Sequence, residues 1–309
     1  MKKRMIVFLA GILLLLGSIY IFIPNVVKLT GNMGIKVTRA GINRMLLDKK
    51  NVAAWWPGKM SNDSFYLNDF AYRISNSNIS VLPVTITGQS KVISSSLLLI
   101  EITKDSTQLK WVSAMVTSYN PVKRFFAFIE AKKINSDMNT ILERMESFYT
   151  NPENIYGFNI QKELVTDSTL IQTSGRCKGY PTNKFIYGLV DKLSSYAIEN
   201  TAKITGYPML NIGTIDSIDF DVKVAMPIDK NLSNSGNILQ KRMLGRGNIL
   251  VVEVKGGIET TNKAYQQIKC YADDYQRVAP AIPFYSLITN RLKEPDSSKW
   301  ITKIYFPVM

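Results

Sequence analysis

Histidine is absent from this 309-residue chain, cysteine occurs twice, and acidic residues are few: 24 Asp+Glu against 38 Lys+Arg. Each shortage excludes something. Without histidine there is no Ser-His-Asp or Cys-His nucleophile, no imidazole general base and no His-ligated zinc. Any proton transfer falls to carboxylates, Lys, Tyr or Cys. Two cysteines, Cys177 and Cys270, are too few for a disulfide scaffold and lack metal-ligand spacing. Free thiols inside the fold are the expectation, with one disulfide as the alternative. Long Lys/Arg runs are also missing. Residues 25–150 carry 16 basic and 9 acidic groups, and 151–309 carry 19 and 15. A nucleic-acid surface needs concentrated basic groups, so no nucleic-acid partner is expected. No cofactor motif and no metal cluster stands out. Gly245-Arg246-Gly247, after Leu244, is a lone Gly pair and a weak phosphate signal.

What is present begins with Lys2-Lys3-Arg4 and an uncharged apolar run from Met5 to Ile23. The run is long enough to cross a bilayer core of about 30 Å as a helix. A cleaved signal peptide is the alternative, but its apolar region is usually about 7–15 residues and ends in small residues. Here Ile21-Phe22-Ile23 leads into Pro24. The expectation is a single-pass anchor over 1–24. The leading basic cluster puts the N-terminus in the cytoplasm and the folded part outside.

The remainder, 46% hydrophobic and 20% charged over the whole chain, reads as two globular α+β domains split near Asn151-Pro152-Glu153-Asn154. In 25–150, apolar Val37, Ala40, Ile42, Met45, Leu46 and Val52 at near-helical spacing predict one helix from Val37 to Trp56. Trp55-Trp56-Pro57-Gly58 ends it. Strands are predicted at Phe70–Ile74, Ile79–Ile86, Ser90–Ile102, Leu109–Thr117 and Phe125–Ala131, broken by turn residues that include Ser75-Asn76-Ser77-Asn78. A helix over 135–149 closes the domain, with Met138, Ile141, Leu142, Met145 and Phe148 as its apolar stripe. This order, with its Trp-Trp-Pro-Gly helix end, resembles the START-like (SRPBCC, polyketide cyclase-like) helix-grip domain. The resemblance implies a curved antiparallel sheet around the last helix, with a core that is either filled or holds a hydrophobic cavity.

The back half contains an internal duplication. One copy runs from Cys177-Lys178-Gly179-Tyr180 through a helix at about 182–199 and Gly206-Tyr207-Pro208-Met209 to the strand Asp219–Ile228. The other runs from Val254-Lys255-Gly256-Gly257 through a helix at about 261–277 and Ala281-Ile282-Pro283-Phe284 to the strand Ser298–Val308. Each is strand, helix, strand, strand. A tandem βαββ domain over 151–309 follows, with a pseudo-twofold axis and a cleft between the copies, where ligands tend to bind. The paired Lys-Gly turns, Thr205-Gly206-Tyr207-Pro208-Met209, Asp219-Phe220-Asp221-Val222 and Trp300-Ile301-Thr302-Lys303-Ile304-Tyr305-Phe306-Pro307-Val308 resemble the GyrI-like small-molecule-binding (effector-binding) domain. That resemblance implies an aromatic-lined cleft for flat or amphipathic molecules, often cations. Some relatives are hydrolases and others are fused to DNA-binding helices, whereas no helix-turn-helix is read here. The family's acidic residue in the last strand is replaced by Lys303, with Lys223 at the matching place in the first copy.

Alternation in the last strand places Ile301, Lys303 and Tyr305 on one face and Trp300, Thr302, Ile304 and Phe306 on the other. The candidate ligand residues are Tyr180, Tyr207, Lys223, Glu253, Phe284, Trp300, Lys303 and Tyr305. Glu253 is the one carboxylate inside the apolar strand Ile249–Val254. The expectation is a membrane-anchored, non-catalytic protein that binds a small amphipathic or aromatic molecule. The alternatives are a hydrolase using Glu253 or a Tyr, and a module docking onto a membrane partner.

Overall fold

The computed structural model describes residues 2–75, 80–88, 91–216, 218–243 and 245–309. Ile79 and Ser90, which open two expected strands, lie outside the described residues, as do Asn76-Ser77-Asn78 and Leu244. The chain divides into two compact units, Met1–Asn151 and Pro152–Met309. Both are α+β, each built on an antiparallel sheet.

The first unit opens with α1 (Lys2–Phe22), which holds an 18-residue apolar stretch, Met5–Phe22, long enough to cross a membrane and not buried by the rest of the chain. After it come β1 (Val26–Ile35), α2 (Arg39–Leu46), α3 (Lys49–Trp55), β2 (Lys59–Ser61), β3 (Ser64–Leu67), β4 (Phe70–Ile74), β5 (Val81–Thr87), β6 (Val92–Thr103), β7 (Ser106–Val116) and α4 (Pro121–Tyr149). The described strands pair in the order β1-β7-β6-β5-β4-β3-β2, curled into a half-barrel.

Three local expectations are corrected. The helix over Val37–Trp56 is two helices. Thr38 caps α2 by accepting from the Gly41 amide, and Asp48 caps α3 by accepting from the Lys50 amide at 2.9 Å. The apolar spacing continues across the break, so periodicity hides it, and the Asp48 cap is the signal that reveals it. The strand expected at Phe125–Ala131 is helix. Asn120 accepts from the amides of Val122 and Lys123 and Pro121 takes the first turn, so α4 starts there and runs 29 residues. Aromatic and β-branched content read as strand, but the cap decides. Finally, β1 was not expected at all. No element is expected between Pro24 and Val37, yet β1, with Gly31, Asn32 and Gly34 in it, pairs with β7 from Val26↔Val116 to Ile35↔Thr107. A Cβ on Gly31 would come within 2.7 Å of the Leu142 side chain, so glycine lets α4 lie against β1.

The core of this unit is aromatic. Trp55, Trp111, Tyr72, Phe65 and Tyr149 are fully buried, and each polar tip is satisfied. The Trp55 indole N–H donates to the Tyr149 hydroxyl at 2.5 Å, Trp111 donates to Ser95 Oγ at 3.0 Å and Trp56 to the Tyr66 carbonyl at 3.0 Å. The buried Asp137 of α4 accepts from Asn68 Nδ2 at 2.6 Å and from the Tyr72 hydroxyl at 3.0 Å. Burial raises its pKa above the usual carboxylate value.

The second unit holds α5 (Glu153–Tyr156), β8 (Gln161–Leu164), β9 (Ser168–Lys178), α6 (Asn183–Glu199), β10 (Met209–Thr214), β11 (Asp219–Ile228), β12 (Leu239–Met243), β13 (Asn248–Lys255), α7 (Ile258–Asp274), β14 (Phe284–Leu287), a 3-10 turn (Ser297–Lys299) and β15 (Ile301–Val308). Its described strands form one sheet in the order β12-β9-β11-β10-β14-β15-β13-β8. The inner six are two βαββ units, β9-α6-β10-β11 and β13-α7-β14-β15, joined edge to edge along β10 and β14. α6 packs on β9 and β11, and α7 on β13 and β15. Around α6 the core is built from Ile186, Val190 and Leu193 of the helix and Val222, Val224 and Met226 of β11. Cys177 and Cys270 are free and half-buried.

Register makes the duplication explicit. Lys223 lies between Asn211 and Ser174, as Lys303 lies between Ser286 and Glu253. Ala225 lies between Met209 and Gln172, as Tyr305 lies between Phe284 and Val251. The two copies are therefore equivalent strand by strand, and the two-for-two exchange at the seam, Met209↔Ser286 and Leu210↔Tyr285, is centred on a pseudo-twofold.

Candidate functional site

Period-2 alternation sends Leu210, Val224, Thr302, Ile304 and Phe306 under the helices. The same alternation leaves Met209, Asn211, Lys223, Ala225, Phe284, Lys303 and Tyr305 half-buried on the face opposite the one on which α6 and α7 pack. Two adjoining cavities open on that face, and both reach across the β10–β14 seam. The larger, about 270 Å³, is walled by Tyr207, Phe284, Tyr305 and Pro227, with Ile249 and Leu164. The smaller, about 150 Å³, is walled by Ile282, Ala225, Asn211 and Lys223. Leu170, Met209, Met243 and Phe284 line both. By the register above, Tyr305 corresponds to Ala225 and Phe284 to Met209; the larger cavity has both rings and Tyr207, the smaller has Phe284 beside Ala225 and Met209.

The aromatic wall has specific geometry. Phe284 and Tyr305 are paired across β14 and β15, with ring centroids 4.8 Å apart and planes 13° from parallel. The rings are stacked, each covering one face of the other, so the pair offers an outward ring face as an apolar platform. Burial raises the Tyr305 phenol above its ordinary value, with Lys303 opposing. The phenol is therefore a neutral hydrogen-bond group at neutral pH.

The two lysines on this face are paired, and Glu163 of β8 adds a carboxylate to the lining of the larger cavity. Lys303 Nζ lies 3.3 Å from Glu253 Oε2, directly across β13 and β15. Lys223 Nζ lies 3.3 Å from Asp221 Oδ2 on its own strand. Both lysines are on the cavity face, as alternation predicts, but neither presents an uncompensated cation. Glu253 is exposed and engaged by Lys303. It lines neither cavity.

Of the eight candidates, Tyr207, Phe284 and Tyr305 meet in the larger cavity, Lys223 and Phe284 in the smaller, and Lys303 with Glu253 beside them on the same sheet face. Tyr180 and Trp300 sit elsewhere. Tyr180 packs edge-on to Phe220 and lines a separate 20 Å³ crevice with Tyr285, Ile258 and Arg291. Trp300 is buried, its indole N–H donating to the Glu294 carbonyl at 2.8 Å and its ring 4.8 Å from the Arg291 guanidinium. Arg291 itself donates to Thr302 Oγ1 at 2.9 Å, and burial lowers its pKa.

No family model and no curated protein matches the sequence. Among solved structures the chain is similar to the EcmrR C-terminal domain, with 16% identity over 49% of this chain and 98% of that one and a TM-score of 0.43. It is similar to SAV2435 bound to tetraphenylphosphonium, with 16% identity over 48% and 93% and a TM-score of 0.33. It is also similar to the ZhuI aromatase/cyclase from Streptomyces sp. R1128, with 11% identity over 40% and 96% and a TM-score of 0.31. The fold resemblance to GyrI-like small-molecule-binding domains is borne out.

Sequence reasoning missed Leu170, Met209, Met243 and Pro227 as cavity residues. Met209 was within reach, because it follows Pro208 as Phe284 follows Pro283. Met243 was not, because it sits on β12, an edge strand that pairs only with β9 and lies outside the repeated unit.

Proposed function

We propose that the protein is a membrane-anchored, non-catalytic receptor for a small, flat amphipathic or aromatic molecule, held on the sheet face of the tandem βαββ unit opposite α6 and α7. The observation that carries this is the pair of adjoining cavities across the seam, the larger walled by the stacked Phe284–Tyr305 pair and Tyr207. Apolar walls with a few polar groups are what small-molecule sites have, although about 270 Å³ is at the small end of their usual range. Because Lys223 and Lys303 are each paired with a carboxylate, leaving Glu163 as the remaining charged group of the larger cavity's lining, the ligand is selected by shape and ring stacking more than by charge. α1 supplies the anchor over 1–24, with the N-terminus cytoplasmic and both folded units outside. Residues 25–150 form a START-like helix-grip domain whose core is filled by its own tryptophans and tyrosines. Residues 151–309 form the ligand-binding domain.

The test is a titration of the full chain in detergent with two flat dyes of opposite charge, cationic rhodamine 6G and anionic fluorescein, read by fluorescence anisotropy. Both are expected to bind, with similar affinities, and to compete with each other. A strong preference for one charge would overturn the selection argument. Absence of binding by either dye, and by a wider panel of hydrophobic compounds in a thermal-shift screen, would overturn the receptor reading.

A further inference from the structure

An apolar stripe stands in the open at the start of α4. Val122, Phe125, Phe126 and Ile129 recur at i, i+3, i+4 and i+7, the spacing of one helix face. They are 54%, 45%, 63% and 37% exposed, and Tyr119 just before them is 87% exposed. A core-facing stripe would be buried, and α4 has that as well, in Ala127, Ala131, Ile134 and Met138. The exposed stripe is a second apolar face that no described residue covers.

What lies beside it identifies the occupant. Arg124, on the same turns, is 4% exposed and donates through Nε at 2.9 Å, and through Nη2, to the carbonyl of Ile23, the residue after α1. Its guanidinium lies 5.0 Å from the Tyr20 ring centroid, and the Tyr20 hydroxyl donates to the Tyr119 carbonyl. The stripe thus begins level with the last turn of the apolar helix and is fixed to it by buried hydrogen bonds. Its composition is that of a bilayer interface: Tyr20, Tyr119, Phe125 and Phe126 are aromatic, and Lys28 and Lys123 are exposed near the same end. Long cationic side chains reach phosphates while their stems lie on apolar surface.

We infer that the first turns of α4 are a lipid-binding surface that seats the N-terminal unit on the bilayer beside α1. This rests on the reading of α1 as a membrane span. Amphipathic helices at a bilayer surface sink their apolar face about 5–10 Å into the headgroup–acyl boundary. With Arg124 tying the two elements together, the unit is held in one orientation on the membrane instead of swinging from a free tether.

The experiment places single environment-sensitive fluorophores on cysteines in the full chain with Cys177→Ser and Cys270→Ser. The chain is reconstituted in phosphatidylcholine–phosphatidylglycerol nanodiscs with ordinary or tail-brominated lipid. The labelled variants are Val122→Cys and Phe126→Cys in the stripe, Leu14→Cys in α1, and Lys104→Cys at the β6–β7 turn. That turn is on the order of 35 Å from Val116 along β7. The expected result is blue-shifted emission and loss of intensity on lipid bromination at positions 14, 122 and 126, with none at 104. Quenching at 14 but aqueous, unquenched emission at 122 and 126 would overturn the inference and leave the anchor standing. Blue-shifted but unquenched emission at 122 and 126, present only when two chains share a disc, would overturn it in favour of a second copy. No quenching at 14 would remove the anchor and the inference together. The two stripe positions are independent, so a variant that misfolds leaves the other to decide.

Discussion

The Phe284–Tyr305 stack supports a quantitative test by double-mutant cycle. The perturbations are Phe284→Leu, Tyr305→Leu and the double variant, which keep apolar volume while removing a ring face. Both side chains are half-buried, so each change costs the fold little, about 1 kcal/mol or less. Binding loses the aromatic contribution, about 0.5–1.5 kcal/mol per ring pair beyond buried area. A single replacement is therefore expected to weaken an aromatic ligand about fivefold, since 1.4 kcal/mol is a factor of ten. The rings are 4.8 Å apart and 13° from parallel, so each sets the position of the other's face. The double variant should then lose less than the sum of the singles, with a coupling of about 0.5–1 kcal/mol, as for residues in direct contact. Anisotropy titration with rhodamine 6G gives all four affinities, and Trp300→Phe serves as a control remote from the cavity face. Strictly additive losses, or unchanged affinity in both singles, would refute the platform argument.

Three further outcomes follow from the same geometry. Replacing Asp137 with Asn keeps the shape while removing a buried charge whose folded pKa is raised by burial. Wild type then loses stability as pH rises from the unfolded carboxylate pKa through the folded one. The variant's relative stability should therefore increase with pH across that window and level off above it, and denaturant melts from acid to neutral pH read this directly. Tyr149→Phe strands the buried Trp55 indole N–H, which now donates to the Tyr149 hydroxyl at 2.5 Å, so urea unfolding should show a loss of about 1–3 kcal/mol that Trp55→Phe partly restores in the double variant. Gly58→Ala places a Cβ against the Tyr66 carbonyl oxygen, backbone that cannot swing aside, and is expected to lower Tm well beyond what an exposed glycine substitution does.

What was legible depended on which physical signal each element carries. The duplication was readable because its landmarks are local: a Lys-Gly turn, an amphipathic helix, a residue after proline, and a strand ending in X-Pro. The strand register confirms that Lys223 matches Lys303 and Ala225 matches Tyr305. Face assignment in β15 was readable because period-2 alternation is rigid: Lys303 and Tyr305 fall on one side and Thr302 and Ile304 on the other. Non-local facts were not readable. β1 is a strand because β7 pairs with it across about 80 residues of chain, and its own Gly31-Asn32-Met33-Gly34 has poor strand propensity. The pairing of Lys303 with Glu253 came from register, which sequence did not give for β13 against β15. Phe125–Ala131 misled because its exposed apolar residues suit a strand as well as a helix, and Asn120-Pro121 held the deciding information one turn upstream.

The two copies have diverged in a way that constrains how one ligand sits. A symmetric pair of cavities would offer equal places, and a small molecule would bind in two orientations or twice. Here Tyr305 and Phe284 of the second copy stand where the first copy has Ala225 and Met209, and Tyr207 of the first copy stands where the second has Ile282. The Phe284–Tyr305 stack and Tyr207 meet only in the larger cavity, while Ala225 and Ile282 line only the smaller. The shared lining of Leu170, Met209, Met243 and Phe284 connects the halves. On the proposed receptor reading, a molecule with a flat aromatic end and a flexible aliphatic end has one favourable orientation, aromatic end on the Phe284–Tyr305 platform and tail toward Ala225. Divergence of the repeat turns a twofold fold into a site with polarity.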